Sequence, residues 1–415
     1  MDIADLRIDA ERLRADFDAL TEIGATVAGG VSRLALSNED LEARAWFANR
    51  LDDAGLAVRD DDVGNISGVL VMNGTAADRT VLLGAHLDTA LNAGRYDGSV
   101  GILAALECLR TIHESGIRLP VNLEVINFTD QEGSWHSMLG SRGLTGRLPD
   151  FTMRDGDDQS AFRAALFRAG IFLNDMHRAA RQRSDVAGYL ELHIEQGGRL
   201  WAAGKRIGVV EGIVGRTTYS ITFHGEAGHS GTTAPEQRRD ALQGAAQFII
   251  EAHRWVRESI PDGLFNAGNI VTEPGAFNTI PEKAVLTVEV RNPDQSALLV
   301  MEDQMLVLAA SCAERYGLRM TSRRLVNMPA AKMDAAVIAD IEAACGDIGV
   351  TDTARVVSYA GHDAQMLSGF TPTGLIFIPS VDGISHNPRE FTEWDDVVLG
   401  ANVLLHSTIR LAQRV

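Results

Sequence analysis

Five short polar segments of the sequence contain residue types that could do chemistry. Each combines an imidazole or a carboxylate with small or apolar neighbours, and they are 86–88, 96–98, 130–133, 192–197 and 384–388. Histidine, aspartate and glutamate are ligands that divalent transition metals accept, and a set with three histidines suits Zn, Mn, Co or Ni better than Mg. If one carboxylate bridged two cations, the group would form a two-metal hydrolytic site. The alternative for any single histidine is an ordinary hydrogen-bonded residue.

These segments follow apolar runs in a pattern of alternating strands and helices. Two such runs, TVLLGAHLDT (80–89) and VNLEVINFTDQEG (121–133), end in polar residues, and the segment 99–116 between them has helical periodicity. In open α/β sheets the carboxyl ends of the strands form the ligand crevice, so the polar ends are expected to converge. We therefore predict an α/β fold with a mixed, mostly parallel sheet and helices on both faces.

The pattern of elements changes near residue 208. Residues 209–327 read in the order strand, helix, strand, strand, helix, strand, which is typical of a small α+β layer. After residue 328 the first pattern returns, with a buried strand at 374–380 and a terminal helix. We therefore predict a metal-binding catalytic domain formed by 1–208 and 328–415 and interrupted by an inserted domain, 209–327.

Composition and charge exclude several classes of partner. The 38 basic residues are outnumbered by 56 acidic residues, and the net charge of −18 argues against binding to nucleic acid or to an anionic membrane. No apolar run reaches the roughly 18 residues of a membrane span, and the first residues lack the apolar core of a secretory signal. Three scattered cysteines are too few for a disulfide framework or a cysteine-based zinc site. We expect a cytoplasmic globular protein.

Motifs along nearly the whole chain resemble those of one enzyme family. In order, they are GAHLDT (84–89), GRYDGSVG (94–101), FTDQEGS (128–134), MLGSR (138–142), ELHIEQG (191–197), GIVGR (212–216), AGHSGTT (227–233), RRDAL (238–242), FNTIP (277–281), AGHDAQM (360–366) and IPSVDGISHNP (378–388). Together they resemble the dinuclear-metal amidases of the hydantoinase/carbamoylase family, which include N-carbamoyl-L-amino-acid hydrolases, β-ureidopropionase and allantoate amidohydrolase and are related to zinc aminopeptidases. The resemblance implies two divalent metal ions and an inserted lid domain that carries a homodimer contact.

The resemblance also implies roles for the polar residues of the predicted catalytic domain. The metal ligands would be His86, Asp97, Glu132, His193 and His386, with Asp97 as the bridge. Asp88 would be the carboxylate that orients the ring of His86, although it could instead cap a turn. His362 and Asp363 match a supporting pair that could equally be structural.

Further roles concern the substrate. In the inserted domain, Arg291 and Asn278 match the residues that bind a substrate carboxylate, a role that suits the planar guanidinium group. Gln196 matches a contact to the substrate amide, and His229 matches the imidazole that stabilises the developing oxyanion. Arg291 could otherwise be a surface arginine at the end of a strand.

The sequence departs from the family at the position of the general base. Relatives usually carry two acids where this chain has Gln131 and Glu132, and the first takes a proton from the metal-bound water. An amide can hydrogen-bond that water but cannot accept its proton near neutral pH, so an impaired chain is expected. A near-isosteric exchange of the kind used to trap substrates is the favoured explanation. A naturally degenerate binding protein, or a base supplied by Asp130, are the alternatives.

Other departures bear on specificity. Trp135 and His136 stand where relatives often have Arg-Phe, and Arg216 in GIVGR is a further departure that we assign to the substrate pocket. The predicted activity is the hydrolysis of a linear C–N bond in a ureido or N-acyl amino acid with a free carboxylate, with N-carbamoyl-L-amino acids ranked above allantoate. The alternatives are an allantoate-type enzyme and a non-catalytic, metal-containing binding homologue.

Overall fold

The chain folds into two units, one of them discontinuous. The computed structural model describes residues 3–72, 78–149, 151 and 156–414. The first unit combines Met1–Glu211 with Lys332–Val415, and the second is Gly212–Ala331. Each boundary lies within four residues of the one expected from the sequence.

The first unit is built on a nine-stranded sheet, whose central strands are parallel. Its strands are β1 (Ala57–Asp60), β2 (Ile66–Leu70), β3 (Thr80–His86), β4 (Asn122–Phe128), β5 (Val186–Ile194), β6 (Ile207–Ile213), β13 (Ala331–Lys332), β14 (Thr353–Ser358) and β15 (Thr373–Ile378). The spatial order is β1-β2-β4-β3-β5-β15-β6-β13, with β14 beside β6. Neighbours from β4 to β15 pair in parallel, whereas β1–β2, β2–β4 and β15–β6 are antiparallel. The predicted mixed sheet is confirmed.

Helices cover this sheet on both faces, as predicted. They are α1 (Ala10–Glu22), α2 (Asn38–Asp53), α3 (Ser99–Ser115), α4 (Leu139–Leu144), α5 (Gly156–Arg168), α6 (Arg199–Ala203), α9 (Ala335–Asp347), α10 (Asp363–Leu367) and α11 (Trp394–Arg414). Strand β5 shows both faces, because successive side chains of a strand point in opposite directions. Leu192 lies against Gly400 of α11, while Glu191 accepts a hydrogen bond from the backbone N–H of Ala364 in α10.

Helix boundaries follow local signals in the sequence. Ser37 caps α2 by accepting a hydrogen bond from the backbone N–H of Asp40, which satisfies a donor that the first turn leaves unpaired. Helix α3 ends at Gly116, which adopts φ 73°, a left-handed conformation that suits glycine. Helix α3 therefore matches the helical segment 99–116 that the sequence predicts between β3 and β4.

The second unit has a four-stranded antiparallel sheet. The four strands of this sheet are β7 (Gly215–His224), β9 (Leu264–Glu273), β11 (Lys283–Asn292) and β12 (Arg319–Met328). A separate ribbon contains β8 (Gly228–His229) and β10 (Thr279–Ile280), and the helices of the unit are α7 (Ala241–Ser259) and α8 (Gln295–Arg315). The sheet order is β12-β7-β11-β9, and β8 pairs with β10 separately. Alternate residues of β7 and β11 are buried in a core with α7 and α8, and the others stay half-exposed.

Helix α8 is long and apolar enough to cross a membrane by length and composition alone. It is the one helix of this kind in the described part of the chain. Its buried residues, among them Leu298, Met301 and Met305, belong to the core of the second unit.

Candidate functional site

All five expected metal ligands lie at or beyond the carboxyl ends of neighbouring parallel strands. His86 is the last residue of β3, His193 is the penultimate residue of β5, and Glu132 lies in the loop after β4. Asp97 lies in the loop between β3 and α3, and His386 lies in the loop between β15 and α11. Because β4, β3, β5 and β15 are adjacent, residues that are far apart in sequence meet at one edge of the sheet.

The carboxylate of Asp97 is the centre of this group. Its Oδ1 lies 3.0 Å from His193 Nε2 and 3.7 Å from His86 Nε2. Its Oδ2 lies 3.2 Å from His386 Nε2, which in turn is 3.5 Å from Glu132 Oε2. Asp97 therefore belongs to two sets of three potential ligands, and within each set the ligand atoms lie within 4.8 Å of one another.

The donor atoms of this group fit a metal centre. His86 Nε2 and Glu132 Oε1 are buried, and neither has a hydrogen-bond partner within the described residues. A buried polar atom without a partner is costly, so these two atoms are set up for a ligand that accepts their lone pairs. Imidazole nitrogens and carboxylate oxygens suit Zn, Mn, Co or Ni.

Burial and close charges shift the pKa values of these groups. Burial lowers the pKa of His86 to about 4, so its imidazole is neutral at pH 7. Burial also acts to lower the pKa of His193, but the adjacent Asp97 carboxylate outweighs it and raises that pKa to about 9. Burial and the charge of Asp97 raise the pKa of Glu132. The raised pKa values of His193 and Glu132 mean that protons compete with a cation for these two groups near neutral pH.

Backbone carbonyls hold the two buried histidine rings. His86 Nδ1 lies 2.8 Å from the carbonyl oxygen of Asp88, and His193 Nδ1 lies 2.9 Å from that of Ile194. Because each Nδ1 donates to its carbonyl, each Nε2 faces Asp97. His86 Nε2 presents a lone pair there, and His193 Nε2 presents one once a cation has displaced its proton. The rings are thus held in an orientation suited to metal binding.

The carboxylate of Asp88 does something different from what the sequence suggested. It lies 3.9 Å from His86 Nδ1, too far for a hydrogen bond. Instead its two oxygens accept hydrogen bonds from the backbone N–H groups of Gln131 (3.2 Å) and Glu132 (3.1 Å). The role expected for Asp88 is therefore corrected. Its backbone carbonyl holds the ring of His86, and its carboxylate holds the loop that carries Gln131 and Glu132.

The side chain of Gln131 is held by its amide group. Nε2 donates a hydrogen bond to the carbonyl oxygen of Gly361 (2.9 Å), and the residue is buried. A glutamate carboxylate could not donate to that carbonyl, so Gln131 makes a contact that a general base would lack.

The carboxylate of Asp130 is directed away from the position of the general base. Its positive φ of 54° turns the chain, and its carboxylate accepts hydrogen bonds from the backbone N–H groups of Trp135 and His136. Burial raises the pKa of Asp130 to about 7. Because its oxygens bind its own loop, Asp130 supports that loop and is poorly placed to replace a base at residue 131.

The rings of Trp135 and His136 lie in an aromatic cluster. Trp135 Nε1 donates to the carbonyl oxygen of Ala35, and its ring centroid lies 5.6 Å from that of Phe162. The His136 ring lies 4.9 Å from Phe151 and 5.0 Å from Phe162. Phe162 belongs to a small hydrophobic core with parts of α4 and α5. These two departures from the family therefore alter that core.

Gln196 reaches into the ligand group. Its Nε2 donates to Asp97 Oδ2 (2.7 Å) and lies 3.3 Å from His386 Nε2. The residue has φ 59°, and its backbone N–H donates to Ser380 Oγ (3.0 Å). The amide of Gln196 is thus placed beside the oxygen that Asp97 shares with His386.

A buried polar layer lies next to His193. The ring of His362 contacts that of His193 with centroids 4.5 Å apart, and His362 Nε2 lies 2.9 Å from Ser358 Oγ. Glu191, two residues before His193, accepts hydrogen bonds from the hydroxyl of Tyr189 and from the backbone N–H of Ala364. Sequence reasoning identified His362 and Asp363 but missed Glu191, although an acid inside a fully buried strand was a usable signal.

In the second unit, the structure brings together His229 and Asn278. His229 pairs with Thr279 in the β8–β10 ribbon, and the backbone N–H of Ser230 donates to the carbonyl oxygen of Asn278 (3.0 Å). His229 Nδ1 accepts from the backbone N–H groups of Gly231 and Thr232. A neutral ring that accepts at Nδ1 carries its proton on Nε2, so the exposed His229 offers an Nε2–H donor.

Arg216 and Arg291 form a second pair in this unit. They are direct cross-strand neighbours on β7 and β11. Glu289 lies beside both: its carboxylate accepts from Arg291 Nε (2.6 Å) and lies 3.8 Å from Arg216 Nε. Sequence reasoning missed Glu289, although a residue two positions from Arg291 on a strand must share its face.

Comparisons with known proteins agree with this geometry. Residues 82–409 match the model of peptidase family M20/M25/M40. The chain is 35% identical to an N-carbamoyl-L-amino acid amidohydrolase of Geobacillus stearothermophilus, over 98% of this chain and 99% of that protein. It is 32% identical to the allantoate amidohydrolase of Bacillus subtilis, over 95% of each chain.

A solved structure extends the likeness to the fold. An amidase of the hydantoinase/carbamoylase family from Burkholderia multivorans superposes with a TM-score of 0.85 at 32% identity, over 98% of this chain and 99% of that one. The expected enzyme class, a hydrolase acting on C–N bonds other than peptide bonds, is confirmed by these relatives. The chain therefore belongs to the hydantoinase/carbamoylase amidases of peptidase family M20/M25/M40.

Proposed function

We propose that this protein is a metal-dependent amidohydrolase that cleaves a linear C–N bond of an N-carbamoyl or N-acyl amino acid with a free carboxylate. The observation that carries the proposal is the position of Asp97, whose two oxygens belong to two adjacent sets of potential ligands. In hydrolases, a carboxylate shared in this way is typical of a two-metal site. The named relatives act on N-carbamoyl amino acids and on allantoate, which both contain ureido groups.

The proposed cofactor is a pair of divalent cations, Zn, Mn, Co or Ni. His86, His193 and Asp97 would hold one cation, and Asp97, Glu132 and His386 would hold the other. When bound, such cations activate a water molecule and polarise the substrate carbonyl. The protein's own contribution is to present neutral imidazoles in a fixed orientation, which the carbonyl contacts at Nδ1 of His86 and His193 support.

The second unit supplies the proposed substrate contacts. Arg291, with Arg216 as its direct cross-strand neighbour, would bind the substrate carboxylate, a role that suits the planar guanidinium group. Asn278 would add a hydrogen bond to the same group. His229 would donate from Nε2 to the carbonyl oxygen as negative charge develops there. One further proposed contact, from Gln196 to the substrate amide, comes from the first unit.

Gln131 limits the proposed rate. Its amide can orient a water molecule, but it cannot take the proton that leaves that water. Loss of a general base typically reduces the rate by about 10²–10⁴-fold. The chain with Gln131 is therefore proposed to bind substrate and to turn it over slowly.

A substrate panel tests this proposal. The full chain and its Gln131→Glu variant are reconstituted with Zn, Mn, Co or Ni and incubated with N-carbamoyl-L-amino acids, an N-acetyl amino acid and allantoate. We expect release of the amino acid and ammonia from the carbamoyl compounds, faster in the variant. Preference for allantoate would favour the allantoate-type alternative. Calorimetric binding without turnover in either protein would favour the non-catalytic binding homologue, and failure to bind any cation would contradict the metal site.

We also propose that two copies associate through the second unit. Helix α8 leaves Leu299, Val300 and Val307 each more than half exposed, an apolar face that a second copy would cover. Light scattering should give a molar mass twice that of one chain. The Val300→Asp variant should have the mass of a single chain. The cytoplasmic location stays a prediction, which recovery of the protein in the cytoplasmic fraction of lysed cells would test.

A further inference from the structure

A buried glutamate joins the two loops that carry Asp97 and His386. Glu390 lies four residues after His386, in the loop between β15 and α11, and is only 4% exposed. Burying a carboxylate is costly unless hydrogen bonds compensate it, so its contacts show its role. The expected ligand motif stopped at Pro388, and sequence reasoning did not reach this residue.

The carboxylate of Glu390 accepts four hydrogen bonds from two distant parts of the chain. Oε1 accepts from the backbone N–H groups of Tyr96 and Asp97, both at 3.1 Å. Oε2 accepts from Ser385 Oγ (2.8 Å) and from the backbone N–H of His386 (3.3 Å). One side chain thus links the backbones of two proposed ligands that are 289 residues apart in sequence.

The surrounding backbone is shaped to admit this side chain. A Cβ on Gly94 would lie 2.2 Å from Glu390 Oε1 and 2.3 Å from Glu390 Cβ and Cδ. Contacts that short do not occur between non-bonded atoms, so only a glycine at 94 lets the loop approach the carboxylate so closely. The loop before Asp97 is therefore packed directly against Glu390.

His386 depends on this backbone contact more than the buried ligands do. Its side chain is 48% exposed, so little packing holds the ring, and its backbone adopts φ 52°. His86 and His193, by contrast, lie on strands, and carbonyl groups hold their rings. The place of His386 relative to Asp97 is thus set largely by the hydrogen bonds to Glu390.

We propose that Glu390 is a positioning residue that holds Asp97 and His386 in register and so selectively supports the cation bound by Asp97, Glu132 and His386. The inference rests on the two-metal site proposed above. A carboxylate suits the task because all four of its partners are donors. A glutamine has one oxygen and one NH₂ group, so its NH₂ must face one pair of these donors. The hydroxyl of Ser385 can accept from that NH₂ but the His386 N–H cannot, so the hydrogen bond to His386 is lost.

Metal titration of the full chain tests the inference. The unaltered protein, Glu390→Gln and a control, Glu107→Gln, are titrated with Co²⁺ by calorimetry and visible absorption, and the melting temperature of each cation-free protein is recorded. Glu107 is a matched control because it is 1% exposed and accepts hydrogen bonds from Arg12 and the Asp9 N–H, away from the ligand loops. Glu390→Gln should keep one tight Co²⁺ and bind the second about 10–100-fold more weakly, while Glu107→Gln keeps both.

Gly94→Ala gives an independent test if Glu390→Gln does not fold. The added methyl group displaces Glu390 without altering it or any proposed ligand, and the same selective loss of the second Co²⁺ is expected. Two unchanged affinities in both variants would overturn the inference. So would an equal weakening of both cations, or a selective loss in Glu107→Gln as well, because either result indicates a general loss of structure. An unaltered chain that binds no Co²⁺ would overturn the metal site together with this inference.

Discussion

The two units of the protein place their functional side chains in opposite environments. In the first unit His86, Asp97 and His193 are at most 2% exposed and lie at the ends of parallel strands. In the second unit His229 and Asn278 are exposed on a short ribbon, and Arg216 and Arg291 are half-exposed on an antiparallel sheet. A parallel sheet buried on both faces collects polar groups at its edge, whereas a sheet covered on one face leaves a polar surface.

This difference predicts two kinds of chemistry. In the first unit, burial and mutual charge shift the pKa of each group, so binding of a cation is coupled to proton release. In the second unit, the side chains remain accessible and carry donors that a substrate can meet directly. Changes at the metal ligands of the first unit should therefore act on metal content and on kcat, and changes at the carboxylate-binding arginines of the second unit should act on KM.

The largest effect is expected from Asp97→Ala in the first unit. Both sets of ligands lose their shared carboxylate, so both cations should bind weakly and kcat/KM should fall by about three orders of magnitude or more. Metal analysis after dialysis and a steady-state assay measure these two quantities. Asp16→Asn is the control, because Asp16 is also a buried acid but pairs with Arg110. Retention of two cations by Asp97→Ala would contradict its bridging role.

Gln131→Glu should have the next largest effect, and in the opposite direction. A glutamate adds the missing base but loses the hydrogen bond to the Gly361 carbonyl, which leaves the new carboxylate free to turn toward the reacting water. We expect kcat to rise by about two orders of magnitude, with KM little changed and with a rising acid limb in the pH–rate profile.

The control for this exchange is Gln159→Glu, since the Gln159 amide likewise donates to a backbone carbonyl, that of Phe151. It should leave kcat unchanged. An inert Gln131→Glu protein that still binds its ligand would support the binding-homologue alternative. Ordinary turnover by the unaltered chain would show that residue 131 is not the base.

A smaller effect, on KM, is expected from Arg291→Lys in the second unit. Lysine keeps the charge but cannot form two parallel hydrogen bonds with a carboxylate, which costs about 2 kcal/mol, or roughly 30-fold in KM. The assay uses the Gln131→Glu background so that turnover is measurable. Arg319→Lys, at the other end of the same sheet, should leave KM unchanged. A matching change in metal content would break the division between the two units.

The most gradual effect is the pH dependence of cation affinity, which changes stepwise with pH and needs no substitution. The pKa of His193 is raised to about 9 by Asp97, so this ring is protonated at pH 7 in the cation-free protein and must lose its proton to bind a cation. Loss of this one proton should raise the affinity about tenfold per pH unit between pH 7 and 9, and the raised pKa values of Glu132 and His386 should steepen that rise. Calorimetry in buffers of different ionisation enthalpy counts the released protons. An affinity independent of pH over this range would contradict the charged state of His193.

Much of the site follows from local pattern in the sequence. Apolar runs that end in His86 or in Asp130–Glu132 indicate parallel strands with polar ends, and adjacent parallel strands must bring those ends together. The change of pattern near residue 208 indicates an inserted unit, because the period of the hydrophobic residues reflects local secondary structure. The family motifs added the ligand roles that spacing alone left open.

Other features depend on contacts between residues that are distant in sequence. The Asp88 carboxylate holds the backbone of Gln131 and Glu132, and its carbonyl holds His86, because the loops after β3 and β4 lie side by side. Trp135 enters a hydrophobic core because α5 supplies Phe162.

Length, the alternation of strands and helices, the position of the inserted unit and the residues able to bind cations were determined by the sequence itself. Which buried oxygen meets which donor was decided only by the tertiary structure. Glu390 illustrates the reason: its four donors come from loops almost three hundred residues apart, and hydrogen bonds act over about 3 Å. No local period or spacing encodes that contact, because it exists only once β3 and β15 have taken their places in the sheet.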